Sequence, residues 1–533
     1  MDKTRLPFII REQSRILPSW KCGGLYIRMG EKHMIFNSML FLGAFLPVIF
    51  ILDKITGRSR ALQNLLLLAA SLFFYAWGQP EYLWLLLASV LVNYLAGLAM
   101  GQSRRKPGSG TEAGTRGTGS SGHMALVVLV LGILVNLGLL GYYKYFNFFA
   151  NTLNRVLGSE ILPMQEIALP LGISFFTFQA ITYLVDLYRE KVPAEKNILH
   201  LALYFSFFPR ITQGPIEKYR DFAPQVAGRK QSVQKMGEGV RRFIYGLAKK
   251  VVIADTLGTC VDQIYGLELS NVSGALAWIA AVFYSLQLYY DFSGYSDMAV
   301  GLGKMFGFDL AENFHYPYMA VSIADFWRRW HMSLTSWFRE YLYFPLGGSR
   351  KGRLRTCGNI FVVFMATGLW HGASWDFIIW GLYHGVFQVL ERLGLNRILG
   401  KSRILSHIYT LLVVGVGWVF FRAGDMGVAL SYVKRMFLPW MYTASDYTVR
   451  ELVPNRAFAA AFLGILGCGL IQMIGERLAG RDRHSGSETE ARSAFFPSFR
   501  YSTAELVFCM LLLAYSILLM VSSTYSAFLY MNF

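Results

Sequence analysis

The sequence predicts an all-helical, polytopic membrane protein, and three observations carry that prediction. Hydrophobic residues make up 54% of the 533-residue chain and charged residues only 16%, whereas soluble domains carry roughly a quarter charged. Apolar runs long enough to cross a bilayer recur along its length. The basic residues gather between those runs. A net charge of +18 would suit a nucleic-acid partner if it formed one patch. Spread over loops, it fits the Lys and Arg bias of cytoplasmic loops, so the bilayer and not nucleic acid is the expected surrounding.

Residues 1–33 are basic, with Lys3, Arg5, Arg11, Arg15, Lys21, Arg28 and Lys32, and have no apolar core. They are not a cleavable signal peptide. A second methionine, Met34, stands directly before the first apolar run, so the extension is expected to lie outside the native chain and 34–533 to form one transmembrane domain. Runs at 38–53, 62–77, 81–100 and 124–143 have the length and composition of spanning helices. Gln79-Pro80 turns the chain between the second and third, with Trp77, Tyr82 and Trp84 at interface depth. Lys54, Arg58 and Arg60 follow the first span, and Arg104, Arg105, Lys106 and Arg116 follow the third, which places both loops in the cytoplasm. The Gly/Ser-rich stretch 103–122 is expected to be a disordered linker.

From Pro170 onward, breakers mix with aromatic residues. Residues 170–179 lead into a run ending at Asp186, and 207–216 carries basic residues on both flanks. Equal flanking charge fits a re-entrant segment, and irregular backbone at membrane depth survives only inside protein or along a wet cavity. Both runs are therefore expected to line a cavity. A helix from Arg241 to Asp255, a span at 272–290, the stretch 360–390 and runs at 405–421, 456–474 and 504–530 complete the pattern. The total is about eleven membrane segments, some of them incomplete crossings. The five cysteines are scattered without Cys-x-x-Cys spacing and read as small buried hydrophobes.

The chemistry concentrates in residues 290–384, which hold two histidines preceded by tryptophan, His331 and His371. An ionisable group at membrane depth is costly and is a functional candidate by default. Trp327, His331, Leu334 and Phe338 recur at the spacing of one helical face, apart from Arg328 and Arg329. His331 therefore shares the buried stripe, where a core imidazole bonded to a carbonyl is as good an account as catalysis. His371 is the sharper case. It lies in a largely apolar stretch between Gly368 and Gly372, which allow another backbone or a ligand to approach closely. A neutral imidazole there could deprotonate an alcohol nucleophile, worth roughly two to four orders of magnitude in rate. Asp291, Asp297 and Asp325 could orient an imidazole or serve as caps and turn contacts. A metal site built from His371, Asp376 and His384 is disfavoured, because no two of them stand at i, i+4. Arg328 and Arg329 could be ordinary cytoplasmic charge or could attract the phosphates of an anionic acyl donor.

At these residues the chain resembles the membrane-bound O-acyltransferase superfamily, in particular its bacterial alginate O-acetyltransferase branch. The matching stretches are 170–179, 207–224, 290–307, 313–343 with Trp330-His331, 369–372 with Trp370-His371, and 417–423. The resemblance implies a ring of tilted helices around a thin centre with a tunnel, in the cell membrane. It places the family's near-invariant histidine on His371 and the second active-site position on His331. Trp327, Arg328, Arg329 and Trp330 are the candidates for donor binding. It also implies a cytoplasmic co-substrate, acetyl-CoA or another acyl thioester, with no resident cofactor or metal. The implied acceptor is a hydroxyl of an extracytoplasmic polysaccharide. An esterase-like extracytoplasmic protein would relay the acyl group, and an acyl carrier protein is a further possible partner. The rival readings are D-alanyl transfer to teichoic acid and a non-catalytic envelope transporter or scaffold.

Overall fold

The computed structural model describes residues 34–103, 120–443, 445–471, 503–522 and 528–529. The extension 1–33 and the body of the expected linker lie outside the described residues. Every regular element among the described residues is helical. The chain opens with α1 (Leu46–Ile55), α2 (Arg60–Gly78) and α3 (Leu83–Ser103). Then come α4 (Ser120–Leu140), a π-helical turn at Gly141–Tyr145 and α5 (Phe146–Leu157). Five helices are long and apolar enough to cross a membrane: Arg60–Gly78, Pro80–Ser103, Gly122–Leu157, Arg403–Ala423 and Thr503–Ser522. The protein is thus a membrane protein, with other helices that are shorter or more polar than a simple span.

The run beginning at Pro170 is regular, contrary to expectation. Gly172, with φ of +70°, turns the chain into α6 (Ile173–Tyr188), which is buried along most of its length. Only 207–216 is irregular. It lies between α7 (Ile198–Ser206) and α8 (Tyr219–Gly228) and is buried throughout. Two of its backbone donors are met by side chains from other parts of the fold. Phe208 N donates to Ser71 Oγ at 3.0 Å and Ile216 N to Ser333 Oγ at 3.0 Å. Satisfied in this way, a non-helical segment can persist away from water.

The next elements are α9 (Val233–Ala248), a π turn at Lys249–Ala254, α10 (Asp255–Tyr265) and the long α11 (Gly274–Met305). Helices α9 and α11 pack backbone to backbone. A Cβ on Gly246 would lie 2.6 Å from the Gly294 carbonyl oxygen, and one on Gly301 would lie 2.6 Å from that of Gly239. The closeness confines the ionic groups between the helices to each other. Lys250 bonds Asp291 at 2.7 Å and Asp255 at 2.6 Å, while Lys249 bonds Asp297 at 2.6 Å and Arg242 bonds it at 2.9 Å. Gly294→Val is expected to destabilise the protein by roughly 1–3 kcal/mol, since overpacking forces backbone apart. Thermal unfolding in detergent, compared with a substitution at exposed Val282, checks this.

Beyond α11 come α12 (Ile323–Arg329), α13 (Met332–Phe338), α14 (Arg353–His371), α15 (Trp375–Leu390) and α16 (Asn396–Leu399). The stretch 360–390 is therefore a hairpin of α14 and α15, broken at Gly372 with Ser374 as the N-cap of α15. Gly368 and Gly381 let the two helices touch, as a Cβ on either would overlap a backbone carbonyl at 2.2 Å. Then follow α17 (Arg403–Ala423), α18 (Met426–Phe437), α19 (Val449–Leu452), α20 (Asn455–Ile465) and α21 (Thr503–Ser522).

Two large apolar clusters divide the chain. One is built from residues between Met34 and Leu310 together with Phe528, the other from residues between Ala254 and Cys468. A small third cluster of Phe178, Ile181, Ile216, Leu334, Trp337, Phe338 and Trp370 contains one of the two tryptophans that precede a histidine.

Candidate active site

The tertiary environment of residues 313–315 decides the local structure at His331. Asn313 O accepts from Met332 N at 2.9 Å, and His315 N donates to Arg329 O at 2.9 Å. These bonds take the place of a continuous helix, so the chain breaks between α12 and α13. His331 stands in the break as the N-cap of α13 with φ of +44°. The periodic stripe 327–338 thus belongs to two short helices and not one. Trp327, His331, Leu334 and Phe338 are nevertheless all buried.

His331 is 1% exposed, and its Nδ1 lies 3.0 Å from Asn313 Oδ1. The same oxygen accepts from Ser333 N at 3.3 Å and Ser333 Oγ at 2.9 Å, and the amide nitrogen donates to Ser296 Oγ at 3.1 Å. Asn313 is therefore oriented with its oxygen toward His331. Nδ1 must carry the hydrogen, and Nε2 is left with its lone pair. Nε2 is buried and has no hydrogen-bond partner among the described residues. The far end of α13 is also tied down. Arg220 bonds the Glu340 carboxylate at 2.5 and 2.8 Å and Lys218 bonds it at 2.8 Å, with Lys191 as a third cation. Hydrogen bonds from Arg220, Lys191 and Lys218 hold that carboxyl well below the usual carboxylate range.

His371 ends α14 and is 2% exposed. Its ring meets Trp370 at 5.0 Å, Trp380 at 5.2 Å and Phe421 at 5.4 Å between centroids. Trp370 also meets His331 at 5.8 Å, so one indole lies against both imidazoles. The end of α14 is fixed from the π turn between α4 and α5. Lys144 Nζ donates to Trp370 O at 2.6 Å and Ser174 Oγ at 3.3 Å, and Tyr145 Oη donates to Leu369 O at 2.8 Å. A cation on the last carbonyls of a helix also complements its dipole. No carboxylate lies within ion-pair distance of Lys144 among the described residues.

The remaining sequence candidates separate into two groups. Trp327 and Trp330 are buried; Trp327 touches His384 at 5.2 Å and Trp380 at 5.8 Å, and Trp330 packs on Trp418 at 4.8 Å. Arg328 and Arg329 face away and pair with Asp325 at 3.3 and 3.1 Å. The three aspartates are engaged by Lys and Arg side chains, and the imidazole of His331 is oriented by Asn313. His384 is fully buried on α15, with its ring against Trp380 at 5.2 Å. Asp376 lies in the first turn of the same helix. An apolar cavity of about 280 Å³, lined by Trp278, Ser285, Tyr318, His407 and Cys468 among others, includes neither His331 nor His371 in its wall.

The arrangement can perform proton transfer in a buried, aromatic interior. Neutral imidazoles can take a proton from a hydroxyl, and a rigid shell keeps them in place. The family model for MBOAT, the membrane-bound O-acyltransferase family, matches residues 129–421. The chain belongs to that family. This membrane-bound O-acyltransferase is 38% identical over 525 residues to the probable alginate O-acetylase AlgI of Azotobacter vinelandii, a match covering 94% of this chain and 100% of that protein. It is 37% identical over 438 residues to the peptidoglycan O-acetyltransferase of Helicobacter pylori, covering 76% and 80% of the two chains. Likeness to the teichoic acid D-alanyltransferase of Bacillus subtilis is confined to 230 residues at 35% identity, 41% of this chain and 58% of the other. The family match contains Lys144, Asn313, His331, Trp370 and His371.

Proposed function

We propose that this acyltransferase is an O-acetyltransferase of the cell membrane, moving acetyl groups from a cytoplasmic thioester to hydroxyls of an extracytoplasmic polysaccharide. The observation that carries the reading is the pair of buried imidazoles sharing Trp370, in a chain alike over nearly its whole length to an alginate O-acetylase. His371 takes the proton of the attacking hydroxyl as its oxygen bonds to the thioester carbonyl carbon. Collapse of the tetrahedral adduct breaks the C–S bond, and the departing thiolate receives that proton. His331, held by Asn313 with its Nε2 lone pair unengaged, accepts from a neighbouring hydroxyl of the acceptor and so orients the attacking one. With that tautomer it is a partner of the acceptor and not of the acyl carbonyl.

Acetyl-CoA is the donor in this reading, and Arg328, on the exposed side of α12, suits its phosphates. An esterase-like extracytoplasmic protein could stand between this enzyme and the polymer. The shorter, partial likeness to the D-alanyltransferase makes transfer from a carrier protein the weaker alternative. Membranes bearing the protein separate the two. Label from [14C]acetyl-CoA is expected in alkali-labile ester on surface polymer. Label from D-[14C]alanine supplied with carrier and ligase, and none from acetate, would move the assignment to the D-alanyl branch.

A further inference from the structure

Acyl transfer places negative charge on the thioester carbonyl oxygen, and a site without water must offer a donor there. The His331 Nδ1–H is engaged by Asn313, and His371 is occupied in taking the proton of the hydroxyl. A donor that lies against both imidazole rings is the indole of Trp370. Its Nε1 is buried and has no hydrogen-bond partner among the described residues, whereas a buried indole N–H normally finds an acceptor.

Trp327 and Trp380 also carry buried, unpartnered indole nitrogens. Their ring contacts differ: Trp327 and Trp380 both reach His384, and Trp380 reaches His371. Among the described residues, Trp370 alone has ring contacts to both His331 and His371. It is also firmly held. Lys144 anchors its carbonyl at 2.6 Å, Phe178 lies nearly parallel to its ring at 5.7 Å and Phe175 meets it edge-on at 5.5 Å. Phe178 is itself stacked on Trp337 at 3.8 Å. A donor fixed in this way needs no reorganisation when the charge appears.

We infer that the Trp370 indole N–H is the hydrogen-bond donor that receives the thioester carbonyl oxygen as it becomes an oxyanion. The inference rests on the acyl-transfer site proposed above. As the acceptor oxygen bonds to the carbonyl carbon and its proton passes to His371, the C=O π pair moves onto oxygen, which accepts from Trp370. The pair returns as the C–S bond breaks, and the thiolate leaves with the proton from His371.

The test replaces Trp370 with β-(3-benzothienyl)alanine by amber suppression in the full-length protein. Sulfur then stands where the N–H was, and the bicycle keeps its shape. Turnover of [14C]acetyl-CoA into polymer ester, normalised to inserted protein, is the readout, with Trp370→Phe as a second variant lacking the donor. Both are expected to lose about 10²–10³-fold in kcat while KM for acetyl-CoA and the unfolding temperature stay near wild type. Full kcat in the benzothienyl protein overturns the inference, as does a loss confined to KM. His371→Ala run in parallel separates the two levels of argument. An active His371→Ala protein defeats the site itself, whereas an inactive one beside a fully active benzothienyl protein defeats only the role of Trp370.

Discussion

Substituting His371 by alanine is expected to lower acyl transfer by about two to four orders of magnitude, the usual worth of a positioned general base. The ring is 2% exposed and enclosed by Trp370, Trp380 and Phe421, so truncation also leaves a cavity. His371→Gln, which fills most of that space, therefore belongs beside it. Both variants are expected to insert in the membrane while surface ester falls to the level of a strain lacking the protein. A scaffold or transporter predicts the reverse: ester content unchanged in the two variants and lost only on deletion. Ester at wild-type level in His371→Gln would remove the imidazole from the reaction and the enzyme reading with it.

The helical membrane character was legible because it depends on composition and run length, which are local. So was the importance of Gly368, whose missing side chain is required by the carbonyl of Phe377 at 2.2 Å. The continuity of elements was not. Asp291 and Asp297 read equally as caps or turn contacts, yet both lie, with Gly294 between them, inside the 32 residues of α11. The glycine is there because Gly246 approaches it, and the flanking aspartates because Lys250, Lys249 and Arg242 neutralise them. Periodicity likewise joined Trp327 to Phe338, while the bonds from 313–315 that divide them come from a distant segment. The 1–33 extension lies outside the described residues.

Two side chains that hold the candidate site escaped the sequence reading for different reasons. Lys144 lies one residue beyond the apolar run that ends at 143, yet it is inside the continuous 36-residue apolar helix Gly122–Leu157. Extending the run by a turn would have exposed an ionisable group at membrane depth, which is a signal in itself. Asn313 offers no such signal. An asparagine between apolar residues has many uses, and only the coordinates bring it to within 3.0 Å of His331.

That asparagine sets up the second large expected effect, at His331. The residue holds φ of +44° and ψ of +54°, a region costing an L-residue about 1–2 kcal/mol. Backbone strain of this kind clusters at functional sites, where the surroundings impose it. His331→Ala and His331→Gly should both lose about 10²-fold or more in acyl transfer, because each removes the Nε2 lone pair. Their stabilities should differ. Glycine adopts the left-handed region freely and alanine does not, so the glycine protein is expected to unfold later, by up to about 1 kcal/mol. Equal stability would mean that the backbone relaxes once the imidazole is gone, and that the Asn313 bond, rather than the docking of 313–315 on α13, imposes the conformation. Wild-type turnover in either protein would leave His371 to act without a partner. Loss of activity with a gain in stability at one residue would instead locate the strain where the acceptor hydroxyl is held.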